Sequence, residues 1–207
     1  MFKLVIVISG IIGGISLGIA NLTFILSLTS TSAAVTLLML GALPFLAALI
    51  AYIFLNEKIS KTTFIAIIIA AAGIIFMCFD SIQTGTLFGL VNGLVSSLGF
   101  AVFTVTLRWK KNTPKLTTVS IAGIFAAIIS LLVIFFNDSN VLMSLKNTSL
   151  SSLHGLIVCS ALILYSAKSK YLPAADLTLL SLTEILGGIF WGWLPLFGIN
   201  EVPNNNT

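Results

Sequence analysis

The chain has 207 residues, of which 58% are hydrophobic and only 8% charged, with a net charge of +4 and a mean hydropathy of +1.15. So little polar surface excludes a soluble globular domain, and several segments approach the roughly 20 apolar residues that carry a helix across a bilayer. The unbroken apolar run from Ile65 to Phe79 excludes an alternating barrel strand. The basic residues lie in short connections between apolar segments, so the positive charge gives no ground for a nucleic-acid partner. The fold class is therefore an all-α membrane protein, a polytopic helical bundle.

The first predicted span covers residues 4–27. Its start resembles a secretory signal, but the apolar run continues long enough to span. Gly10, Gly14 and Gly18 recur at every fourth position, lining one helix face with small groups that let a neighbouring backbone approach. Asn21 and Thr23 are polar groups inside this apolar zone. After a short uncharged turn, Leu28 to Ser32, the second span covers 33–55. Pro44, near its middle, removes a backbone donor and either kinks the helix or serves packing alone. A charged turn from Asn56 to Lys61 leads to the third span, 62–79, and Asp80 to Thr84 form the next loop.

The fourth span, 85–107, carries Gly85, Gly89, Gly93, Ser97 and Ala101 at four-residue steps, a second tight seam. Asn92 lies within it. Arg108 to Lys115, RWKKNTPK, is the most basic stretch, read as a topology determinant with binding of anionic headgroups as the alternative. The fifth span is 116–136, followed by a polar loop to Ser149. The sixth, 150–167, holds Tyr165 and, near one end, His154, read as an interfacial or hydrogen-bonded packing residue with a transport role as the alternative. Residues 168–173 turn into the seventh span, 174–197, and a polar tail. Cys78 and Cys159 fall in apolar spans without metal-ligand spacing and read as small buried residues.

With seven spans, the connections on the side of the N-terminus carry Lys3, Lys58, Lys61, Arg108, Lys110, Lys111, Lys115, Lys168 and Lys170, against Lys146 alone on the other side. This split predicts a cytoplasmic N-terminus and an outer location for the end of the sequence. It also relates two look-alike segments, Ala33 to Lys58 and Ala174 to Glu201. Each opens on Ala-Ala, runs through mostly apolar residues and closes on Asn-Glu. They cross in opposite senses, the pattern of inverted repeats around a central site.

SAAVTLLMLGALPFLAALIAYIFLNEKIS with the following TFIAIIIAAAGIIF resembles the end of a five-helix EamA repeat of the drug/metabolite transporter superfamily. YLPAADLTLLSLTEILGGIFWGWLPLFGINEVP resembles the matching part of the second repeat. The resemblance implies a ten-helix carrier of two inverted repeats, moving a small organic metabolite across the plasma (inner) membrane by alternating access. On this match, residues 1–80 are the later part of the first repeat and 85–201 most of the second, giving seven helices of an expected ten. The chain is then expected to be part of a longer carrier or a shortened relative. The alternative function is a non-transporting membrane protein or a packing partner of another membrane subunit.

Glu184 is the most informative residue. About ten positions into the last span, it sits roughly 15 Å deep, where an ionised carboxylate costs at least about 2.5 to 3.5 kcal/mol. It therefore binds a cationic group or a driving proton, or is protonated and bonded to a neighbouring helix. Thr183 and Ser181 supply nearby hydroxyls. Asn21, Asn92 and Tyr165 complete the candidate substrate-binding set, with Trp191 read either as a belt anchor or as a stacking surface. Asp176 is expected to pair with Lys168 and Lys170. One histidine leaves no HExxH motif, and no phosphate-binding loop occurs, so the sequence predicts no enzyme, metal or cofactor. The expected partners are a small molecule and the lipid bilayer, with a homodimer left open.

Overall fold

A computed structural model describes residues 2–83, 87–109, 113–136 and 144–193, which form helices and no strand. The helices are α1 (Phe2–Ser30), α2 (Ala33–Leu40), α3 (Leu43–Leu55), α4 (Lys61–Gln83), α5 (Leu87–Trp109), α6 (Lys115–Phe136), α7 (Leu145–Lys168) and α8 (Ala174–Trp193). A helix therefore occupies each predicted span. Among the described residues, five stretches are long and apolar enough to cross a membrane: Ile8–Ser30, Val35–Leu55, Leu87–Trp109, Lys115–Phe136 and Leu145–Lys168. Helices suit such sequences because every interior backbone group is satisfied within the segment.

Several boundaries differ from the sequence reading for local reasons. α7 begins at Leu145 rather than near residue 150, because the Ser144 hydroxyl caps it by accepting from the Asn147 N–H at 3.3 Å. α4 continues through Asp80 to Gln83, where a loop is predicted. The segment 33–55 divides at Gly41 and Ala42, where N–H groups bond three residues back, to Leu38 and Met39, at 2.9 and 3.1 Å. Pro44 then falls in the first turn of α3, a position where its missing N–H has no intrahelical partner to lose.

α5 is the axis of the bundle, packed against α1 along one side and α2, α3 and α8 along another. Its small residues explain why. A methyl group placed on Gly99 would lie 2.6 Å from the Ser16 carbonyl oxygen of α1, and one on Gly93 would lie 2.7 Å from Met39 Cβ of α2. The α1 stripe faces α6: Gly14 meets Ile121 and Gly18 meets Phe125 at distances that no larger residue fits. Both glycine ladders thus act as close-approach faces, that of α1 towards α6 and that of α5 towards α1 and α2.

These contacts also fix directions. Gly89 lies beside Thr31, and Gly13 beside Thr106, so α1 and α5 are antiparallel. α6 runs with α1, and the Lys115 ammonium reaching the Ala167 carbonyl at 3.4 Å brings the end of α7 to the start of α6. The C-terminus of α3 meets the N-terminus of α8, and α2, which precedes α3, also touches α8, so the α2–α3 segment runs antiparallel to α8. One end of the bundle consequently gathers Lys58, Lys61, Arg108, Lys115, Lys168 and Lys170, and the other carries Lys146.

Two apolar cores flank α5. One joins Leu43, Ala47 and Ala51 of α3 to Ala101 and Val105 of α5 and Ala174 of α8. The other joins Leu17 of α1, Phe103 and Leu107 of α5, and Val119 and Ala122 of α6, with Leu162, Ile163 and Tyr165 of α7 against it. α7 packs along one edge only, which is why Cys159, expected to be buried, is exposed. His154 is also exposed on that helix. Outward-facing Ile, Leu and Phe of α4, α6 and α7 present an apolar surface of the kind hydrocarbon covers without cost.

Candidate functional site

The candidate binding residues fall on four helices. Tyr165 projects from α7 against α5, where its hydroxyl shares a 2.8 Å hydrogen bond with Thr104. Its ring packs edge-on against Phe100, with centroids 5.5 Å apart, and is stacked on Phe103 at 6.2 Å. Asn21 is half-buried on α1, one residue beyond the carbonyl of Ala20 that receives the Ser96 hydroxyl at 2.9 Å. Asn92 turns back to its own helix, donating to the Phe88 carbonyl at 2.9 Å. Ser181 and Thr183 do the same on α8, donating to Thr178 and Leu180 at 2.6 and 2.7 Å. Glu184 and Trp191 belong to α8 by their backbone, and their side chains lie outside the described residues.

Tyr165 is thus the candidate that the structure ties to another helix. The hydroxyls that hold the interior together were less visible in the sequence. Consecutive Ser96 and Ser97 donate to two different helices, to Ala20 of α1 and, at 2.7 Å, to Met39 of α2. Ser27 donates to the Gly89 carbonyl at 2.8 Å and shares a 2.9 Å hydrogen bond with Thr36. Ser97 stood in the four-residue ladder, and that ladder is the signal by which such interhelical hydroxyls could be found.

The strongest polar construction lies at the basic end, in residues that the sequence reading treated as a surface turn and a topology determinant. α3 ends on Asn56, whose left-handed backbone, at φ 54°, stops the helix and turns the chain so that Glu57 faces inward. Arg108, in the last turn of α5, donates from Nε to Glu57 Oε1 at 2.8 Å and also from Nη2 to the same oxygen. Its Nη1 donates to the Ser169 carbonyl at 3.1 Å, just past the end of α7. The other carboxylate oxygen, Oε2, accepts the Ala174 N–H at 3.2 Å. One ion pair therefore ties together the ends of α3, α5 and α7 and the start of α8.

Both charges suit their places. A carboxylate at a helix N-terminus and a guanidinium at a helix C-terminus each lie favourably in the helix dipole, and bonds between ionised partners are stronger than neutral ones. The two side chains keep 17% and 23% exposure, so water still reaches the pair. Beside it opens a shallow recess walled by Ala48 and Ala51 of α3, Glu57, Lys58, Pro173 and Ala175. Asp176, expected beside Lys168 and Lys170, lines this recess instead.

On the same end, Lys168 and Lys170 flank the exposed Tyr171, their ammonium groups 5.9 and 4.8 Å from its ring centroid. A hydrogen bond with Lys170, reinforced by that residue's charge, holds the Tyr171 phenol below its ordinary range. Among the described residues, no three His, Cys, Asp or Glu side chains are grouped to hold a metal ion.

The described residues define an all-helical fold with five stretches long and apolar enough to cross a membrane. No protein family, curated protein or solved structure matches the chain.

Proposed function

We propose that the chain is a carrier of the EamA type, moving a small organic metabolite across the plasma membrane by alternating access, with the basic end cytoplasmic and seven helices crossing. The observation that carries this reading is the antiparallel packing of the α2–α3 segment and α8, which belong to the two stretches alike in sequence, with the start of α8 held by the Glu57 that follows α3. Opposed copies in contact are what inverted repeats place around a shared site. Glu184, Thr183 and Ser181 on α8, with Asn21, Asn92, Tyr165 and Trp191, are the residues proposed to line the substrate path. The gathering of basic residues at one end supports the orientation.

The test is uptake of radiolabelled amino acids, amines and nucleosides into proteoliposomes holding the full chain, measured for the unchanged protein and for Glu184→Gln between pH 5 and 8. Saturable uptake whose pH response is lost in the variant supports the carrier with Glu184 as its proton site. Saturable uptake with an unchanged response removes Glu184 from that role. No saturable uptake of any compound counts against transport. Cysteines at positions 58 and 198 should react from opposite faces, and labelling of both from one face would remove the inverted arrangement.

A further inference from the structure

We propose that the Glu57–Arg108 clasp is the gate of the basic end, opening and closing the recess between α3 and α8 to that side of the membrane. It deepens the carrier reading above and rests on it for its role in a transport cycle.

Three observations carry it. The clasp is where the carboxylate ending α3 is held by both α5 and α8, through two Arg108 donors and the Ala174 N–H. Behind it, α3 and α8 meet through small apolar residues: Ala47, Ala51 and Ala174 are all 1% exposed or less. The charged bonds are thus the directional tie between the two helices at this end. The recess, walled by Ala48 and Ala51 on one side and Ala175 on the other, lies directly beside Glu57.

The groups released by opening all have somewhere to go. Arg108 retains its bond to the Ser169 carbonyl, Glu57 keeps 23% exposure to solvent, and the Ala174 N–H, buried while the clasp is closed, meets water as the recess opens. A fully buried pair would leave uncompensated charges on opening; a pair at the rim has two accessible states. Asn56, in its left-handed conformation, sets the direction from which Glu57 reaches across.

The test uses the full chain in proteoliposomes, with Cys78 and Cys159 replaced by alanine. Ala48→Cys on the recess wall, 2% exposed, is labelled with a membrane-impermeant maleimide added on the basic side. Glu57→Gln and Arg108→Gln should each raise the labelling rate by roughly tenfold, the scale of losing hydrogen bonds to an ionised group. Arg108→Lys keeps the charge without the forked geometry and should give an intermediate rise, and it provides the reading if a glutamine variant does not fold. A second reporter, Asn92→Cys near the other end of α5, is labelled from the opposite side.

A rise at Ala48→Cys with a fall at Asn92→Cys supports both the gate and alternating access. A rise at Ala48→Cys with no change at Asn92→Cys supports the gate and overturns alternating access. Unchanged labelling at Ala48→Cys in every clasp variant overturns the gate, and so does a rise at both reporters, which would mark a staple whose loss loosens the whole bundle.

Discussion

The two ends of the bundle are closed by different chemistry. At the basic end, ionised Glu57 and Arg108 join helix termini across a rim that water reaches. At the other, Ser27, Thr36 and the Gly89 carbonyl form a neutral network, with Ser27 and Thr36 fully buried. Neutral hydroxyl bonds between membrane helices are worth only about 0.6 kcal/mol on average, so the far end depends on close packing, with the hydroxyls setting geometry. The basic end depends on a few directional charged bonds. An end held by packing loosens only when its surfaces separate. An end held by a wet ion pair can release its directional bonds while both charges stay hydrated.

The largest effect should come from spoiling the packed end. Gly93→Leu would drive a side chain into Met39 Cβ and crowd the Ser27 hydroxyl, 2.7 and 3.2 Å from the position of the first added carbon. Overpacking of this kind should cost about 3 kcal/mol, read as a lower melting temperature in detergent micelles. Arg108→Gln at the other end should cost about 2 kcal/mol, since hydrogen bonds to charged groups contribute roughly 1.5 to 3. The same substitution made together with Glu57→Gln should cost less than the sum of the two singles, because the partners share the loss. Additive costs in that cycle would show that the pair is not coupled.

Ser27→Ala should be milder, about 1 kcal/mol, removing the interhelical donor to the Gly89 carbonyl and the bond shared with Thr36. A cost larger than that of Arg108→Gln would reverse the contrast between the ends. The smallest change concerns charge at the basic rim. Lys170→Met removes the hydrogen bond and the charge that hold the Tyr171 phenol below its ordinary range, so phenolate absorbance should appear at higher pH in the variant. Identical titrations would separate Lys170 from Tyr171.

Much of the helical frame was legible because a segment of about 20 apolar residues has few alternatives. The glycine ladders were equally readable, since spacing by four puts small groups on one face, and Gly14, Gly18 and Gly93 all lie at close approaches. The ladder pattern did not say which helix each face would meet. α7 was misjudged at both levels. Ser144 extended it by a cap, and its single packed edge left Cys159 exposed, because apolar composition alone does not distinguish a lipid face from a core face. The clasp was hidden for a different reason: Glu57 and Arg108 are 51 positions apart in the chain, and each has an adequate local explanation. Only the arrangement of helix ends reveals that they belong together.

Ser96 and Ser97 carry a consequence for how the protein can move. Successive positions on a helix point about 100° apart, and these two hydroxyls reach the backbones of α1 and α2. Turning α5 about its own axis would break both bonds at once, so the pair works as a rotational lock. α1, α2 and α5 are thereby tied to one another through backbone oxygens, whereas α3 and α8 are joined at their own ends by the clasp.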